Sequence, residues 1–158
     1  MTNEERALRT LLARIADWGE AHIKFDDAVK DFPVELRGKR PDGGPHSAWE
    51  LLEHIRIAQW DIVEFTRDAK RHVSPEWPSG YWPSAPEPPS EGAWDESVAK
   101  VRDGMRALAE IANDLSFDLF ARIEGGDGQT VLRELILAAD HNSYHLGQLV
   151  MVRKILGA

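Results

Sequence analysis

An all-α fold, specifically a four-helix bundle, is predicted by three features of this 158-residue sequence. Four long stretches place apolar residues at steps of three and four. A serine–glutamate pair stands where a helix should start. No βαβ alternation and no internal repeat compete with that reading. The length suits a single domain over 1–158 with a sizeable core.

The first helix is expected over Asn3 to Lys30. Leu8, Leu11, Ile15, Trp18, Phe25 and Val29 form its stripe, with His22 filling the remaining place. It should end before Phe32-Pro33, because proline disfavours helical geometry in the residue before it. A Pro/Gly-rich loop follows from Asp31 to His46. Ser47-Ala-Trp-Glu50 then has the form of a capping box and opens a second helix reaching about Lys70. Its apolar face carries Leu51, Ile55, Ala58, Ile62, Phe65 and Ala69.

Residues 72–92 hold six of the nine prolines, so helix and central strand are excluded there. Trp77, Tyr81 and Trp82 argue against disorder, since disordered segments are poor in aromatics. The segment reads as an ordered crossover laid along the bundle. About twenty residues of extended chain reach ~60 Å, against ~36 Å for a 24-residue helix. Such a crossover can return to the start of the second helix and make helices two and three parallel.

The third helix is expected from Ser90 to Asn113, with Trp94, Val98, Val101, Met105, Leu108 and Ile111 inward. Thr130 caps the last helix, which runs to Leu156 with Gly157 as its stop. That helix is apolar over a wide arc: Leu132, Leu135, Ile136, Ala139, Leu146 and Val150 on one side, Val131, Ala138, Leu149, Val152 and Leu156 on another. A helix so apolar sits mid-fold or faces a partner, which favours a homodimer through it.

The net charge of −8, with no basic stripe on any expected helix, argues against nucleic acid as a partner. No stretch approaches the ~20 apolar residues of a membrane span, and no secretory signal is visible at the start. With no cysteine, disulfides and thiolate metal sites are excluded, which is compatible with a cytoplasmic location.

The chemistry-bearing residues are histidines. His141 and His145 stand four apart on one helix, so their rings project one turn apart from the same face, beside Ala138, Leu149 and Val152. His54 lies at the border of the second helix's apolar face, with Glu50 and Asp61 along the same edge. A carboxylate there can take the second ring N–H of a ligating histidine. A buried imidazole without partners costs about 1–3 kcal/mol for each unsatisfied polar atom. A metal supplies the missing partner; a carbonyl or carboxylate would also serve. His22 remains open as a fourth ligand, a base or a core histidine, and His46 and His72 read as loop residues.

Helix two, reading Ser47-Ala-Trp-Glu-Leu-Leu-Glu-His54, and the tail His141-Asn-Ser-Tyr-His145-Leu-Gly-Gln148 together resemble the DinB/YfiT-like family. There a capped second helix supplies one histidine and the last helix supplies two, in an HxxxHxGQ pattern. The resemblance implies an up-down-down-up bundle, commonly dimeric, with His54, His141 and His145 on one divalent ion. Zinc or nickel comes first for that ion, then iron or manganese. It implies either metal-dependent hydrolysis or transfer of a low-molecular-weight thiol, on a small-molecule substrate. Glu50, Asp61 and His22 are then the candidate catalytic groups, and Trp18, His22, Trp60 and Gln148 the candidate pocket. The alternative is a non-catalytic dimer whose metal or histidine cluster serves structure, sensing or sequestration.

Overall fold

The computed structural model describes residues 1–17 and 19–158. Trp18, an expected pocket residue, lies outside the described residues. Among these the chain is helical, with helices α1 (Asn3–Ile15), α2 (Phe25–Val29), α3 (Ala48–Asp68), α4 (Ala93–Asn113) and α5 (Val131–Ile155). No described helix is long and apolar enough to cross a membrane.

The expected first helix is two helices. Thr2 caps α1 by accepting from the Glu5 amide, but the helix stops at Ile15 and α2 begins only at Phe25. The apolar series of the sequence runs on across the break, but burial does not follow it throughout. Leu11 of the expected stripe is 43% exposed and Leu12 is buried in its place, while Phe25, Ala28 and Val29 are buried. Periodicity alone cannot tell one helix from two helices in phase. A continuous helix would carry Gly19, a poor helix former, and turn His22 into the core. The break leaves His22 exposed, its Nδ1 2.9 Å from the Ile23 carbonyl. The core-stripe place expected for His22 is therefore corrected.

Two arginines, Arg9 buried and Arg153 partly so, fasten these pieces to the bundle. Arg9 of α1 donates to the carbonyls of Ala112, Asp114 and Phe117 where α4 ends. Ala112 lies in the last turn of α4, where carbonyls have no partner within the helix. Arg153 of α5 does the same for α2 through the carbonyls of Ala28 and Lys30.

In α3 the capping box forms as expected: the Glu50 amide donates to Ser47 Oγ at 3.2 Å, and the Ser47 amide donates to Glu50 Oε2 at 2.8 Å. All eight residues from Ala48 to Ile55 are buried. Helix α3 packs against both α4 and α5 and is covered on its remaining side by the crossover. On α5, Ile136, Tyr144, Met151 and Ile155 stay exposed.

The crossover is tied to α3 along its length. His72 and Tyr81 both reach Asp61, the Tyr81 carbonyl meets His54, and Ser47 Oγ donates to the Pro86 carbonyl. As the crossover advances, its α3 partners step back from 61 to 54 to 47. It delivers the chain to the end where α3 began, and Ser97 of α4 then bonds Glu53. The side chains of α4 face inward as predicted, with Trp94, Val98, Val101, Leu108 and Ile111 buried. Thr130 caps α5 through the Arg133 amide, and Gly157, at φ 81°, ends it.

The buried apolar residues form two clusters. One gathers Trp49, Leu52, Ile55, Trp94, Leu146 and Leu149; the other gathers Leu12, Val63, Leu108, Leu119, Leu135 and Ala138. On α5 the boundary falls between Ala138 and Leu146, the stretch that holds His141, Asn142 and His145. A polar layer thus divides the core.

Candidate metal centre

The layer is assembled from two helices. The Ser47 cap sets where α3 starts, and His54 follows two turns later on the side packed against α5. One-turn spacing on α5 stacks His141 and His145 opposite it. The three rings meet through Nε2. His54 Nε2 lies 3.0 Å from His141 Nε2 and 3.1 Å from His145 Nε2. The three residues each offer a ligand atom within 4.8 Å of the others.

The outer nitrogens explain why these contacts are unusual. His54 Nδ1 is 2.8 Å from the Tyr81 carbonyl, which can only accept, so the proton of neutral His54 sits on Nδ1. His145 Nδ1 is 2.8 Å from Gln148 Oε1, which likewise places its proton on Nδ1. Both Nε2 atoms then carry lone pairs, directed at each other across 3.1 Å. No hydrogen bond joins two neutral acceptors. A cation between them turns this repulsion into coordination.

Burial keeps the rings neutral. It pushes the pKa of His54 down to about 4, and the neighbouring imidazoles of His145 and His46 add to that against the opposing Tyr81 bond. His141 is likewise pushed down to about 4 by burial first, then by His145 and His54. His145 is lowered by burial too, with Gln148 opposing. Neutral imidazole is the form that binds metals. The fit to a divalent ion is good: nitrogens 3.0 and 3.1 Å apart can share an ion whose bonds are ~2.1 Å long. His141 Nδ1 and Asn142 Oδ1 are buried without hydrogen-bond partners among the described residues.

Aromatic rings wall the site. Trp82 lies flat on His54, with centroids 3.9 Å apart and planes within 2°. His46 stacks on the same indole at 4.1 Å and 13°. Two rings each that close must take opposite faces, so the indole is sandwiched between His46 and His54. Tyr144 meets His145 edge-on at 4.8 Å.

The other candidates are distributed differently. Gln148 is at the centre, bonded to His145. Glu50 is buried and spoken for by Arg40 and the Ser47 amide. Burial raises its pKa, but these donors outweigh burial and hold the carboxyl below its usual value. Asp61 accepts from His72 Nε2 at 2.6 Å and Tyr81 Oη at 2.7 Å. The second ring N–H of His54 therefore goes to a backbone carbonyl, not to either carboxylate. Trp60 is 46% exposed and lines a groove with Arg56, Arg67 and Lys100 between α3 and α4. His22 is exposed in the α1–α2 connection.

Sequence reasoning missed Tyr81, Trp82 and His46 as neighbours of the histidines. The aromatic content of residues 72–92 marks the segment as ordered. Which ring meets which helix residue is set by how far the crossover returns, and no local periodicity encodes that.

A family model described as the DinB superfamily matches residues 7–149 of this chain. No curated protein and no solved structure matches it.

Proposed function

The chain belongs to the DinB superfamily, and from that premise we propose that it is a metal-dependent enzyme holding one divalent ion on His54, His141 and His145. The observation that carries this reading is the pair of unprotonated Nε2 atoms facing each other at 3.1 Å, with their protons held on the far side by Tyr81 and Gln148. Three neutral nitrogens and no carboxylate suit zinc or nickel best, with iron or manganese as further candidates. Bound there, a divalent ion would supply Lewis acidity, able to lower the pKa of a water or to hold a thiolate. Hydrolysis and low-molecular-weight thiol transfer are the two reactions this supports.

The chain's own groups orient the ligands. Tyr81 and Gln148 fix tautomers, and Trp82 excludes water from one face of His54. Glu50 and Asp61 hold structure around the centre, since their oxygens are engaged by Arg40, Ser47, Tyr81 and His72. His22 stays outside the ligand set. Contacts of Glu53 with Ser97, Gln59 with Val101, and Arg9 with Ala112 support an up-down-down-up bundle. The exposed Ile136, Tyr144, Met151 and Ile155 of α5 support a homodimer through that helix. A cytoplasmic location and a small-molecule substrate complete the proposal. The second reading, a non-catalytic metal-binding dimer, would use the same ligands.

The test is elemental mass spectrometry on protein purified without chelator or affinity-tag histidines. About one equivalent of metal per chain is expected, lost in His54→Ala and His141→Ala. Wild-type protein that takes up no zinc, nickel, iron or manganese would sink the reading.

A further inference from the structure

The histidine cluster is described above by its two helices, yet most of what touches His54 from outside comes from the crossover. Tyr81 is the pivot. Its hydroxyl donates to Asp61 Oδ2 at 2.7 Å, while its carbonyl, on the same residue, accepts from His54 Nδ1 at 2.8 Å. Asp61 and His54 are seven residues apart on α3, roughly 10 Å along the helix. A tyrosine is long enough to span much of that distance, with its phenol at one end and its backbone at the other.

The Asp61 end is firmly built. Its other oxygen accepts from His72 Nε2 at 2.6 Å, so both oxygens are occupied by donors from the crossover. The two side chains are largely buried, with His72 8% and Asp61 13% exposed. Hydrogen bonds to a carboxylate are about twice as strong as neutral ones and fix geometry accordingly. Locking Tyr81 also locks the next residue, Trp82, whose indole covers His54.

We infer that Tyr81 and Asp61 are positioning residues for the metal centre: Asp61 holds the Tyr81 phenol, and the Tyr81 carbonyl sets the His54 tautomer that leaves Nε2 free to bind. The inference rests on the three-histidine reading for its metal and deepens it. The crossover is then the outer layer of the site, and closing it along α3 and loading the ion favour each other, because the two equilibria share His54.

The experiment compares wild type, Tyr81→Phe, Asp61→Asn and, as a reference on the same segment, Val73→Ala, whose side chain is exposed. Nitrogen-correlated NMR of the histidine rings in chelator-treated protein reads the His54 tautomer. A zinc competition titration reads affinity, and far-ultraviolet circular dichroism checks that each variant is folded. Wild type and Val73→Ala should show His54 as the single Nδ1–H form. Tyr81→Phe and Asp61→Asn should show a mixture and bind zinc roughly 10–100-fold more weakly, as loss of an outer-layer partner does. A purely structural role would lower stability without changing the tautomer. A single Nδ1–H tautomer in both folded variants, or zinc affinity within about twofold of wild type in both, would overturn the inference. If wild type takes up no zinc, the metal reading fails by itself, and the tautomer comparison alone decides whether Tyr81 positions His54.

Discussion

The segment around His22 and the segment around His54 each set a histidine into an apolar series, one turn or so from a tryptophan or a leucine pair. In the folded chain the first ring stands in solvent beside the Ile23 carbonyl. The second is buried, with Nδ1 on the Tyr81 carbonyl, Nε2 on two further imidazoles and Trp82 against its face. The difference lies in what the neighbours supply. An imidazole has two nitrogens and a flat apolar face, and it stays buried where all three find partners. Among the described residues His22 has one hydrogen-bond partner, the Ile23 carbonyl, and its ring stays exposed at the rim of a small cavity shared with Phe25 and Asn142. Around α3 the crossover supplies a carbonyl for Nδ1 and an indole for the ring face, and α5 sets two further imidazoles beside Nε2.

The largest effect that can break this contrast is loss of the metal. Zinc at about a thousandfold excess over its Kd should stabilise the native chain by roughly 4 kcal/mol. Thermal melts with and without zinc should show that gain in wild type and in His22→Ala, and none in His54→Ala. An equal zinc-dependent gain in all three proteins would erase the distinction between the two histidines.

A smaller effect is expected from acid, in chelator-treated protein. His54 and His141 have folded pKa values near 4, below the ordinary 6.5 of an unfolded chain. As pH falls below about 6.5 the unfolded state takes up protons that the folded state refuses. Stability present above pH 6.5 should therefore be lost progressively down to about pH 4. Urea midpoints across that range measure the loss, and His141→Leu should flatten the curve. A profile as steep in His141→Leu as in wild type would place the titration elsewhere.

The smallest effect concerns the ring that covers His54. Trp82→Ala removes two stacked aromatic contacts worth about 0.5–1.5 kcal/mol each, so urea unfolding should show a loss of about 1–3 kcal/mol. His22→Ala should stay within about 0.5 kcal/mol of wild type, as exposed substitutions do. Comparable losses in the two variants would mean that burial does not separate the two sites.

Much of this is legible in the sequence alone. Ser47 and Glu50 announce the start of α3, Thr130 and Gly157 bracket α5, and the apolar steps of α4 point where they should, because caps and helical faces depend on residues within one or two turns. The spacing of His141 and His145 puts them on one face of α5 for the same reason. The break after Ile15 was not readable, since apolar phase continues across it. Nor was the enclosure of α3 between α4, α5 and the crossover; that follows from where the crossover lies.

The sequence by itself determined the all-helical class, the caps, the ordered proline-rich crossover and the His141/His145 pair, through short-range rules of spacing and residue chemistry; His54 joined that pair through the resemblance to the DinB/YfiT-like family. Only the tertiary structure decided that His22 is left in solvent, that Tyr81 rather than Glu50 or Asp61 receives the His54 proton, and that Trp82 lies between His46 and His54. Those outcomes hang on distances between residues far apart in the chain. Such distances are set by how helices dock and how far a connection returns, and neither leaves a local signature.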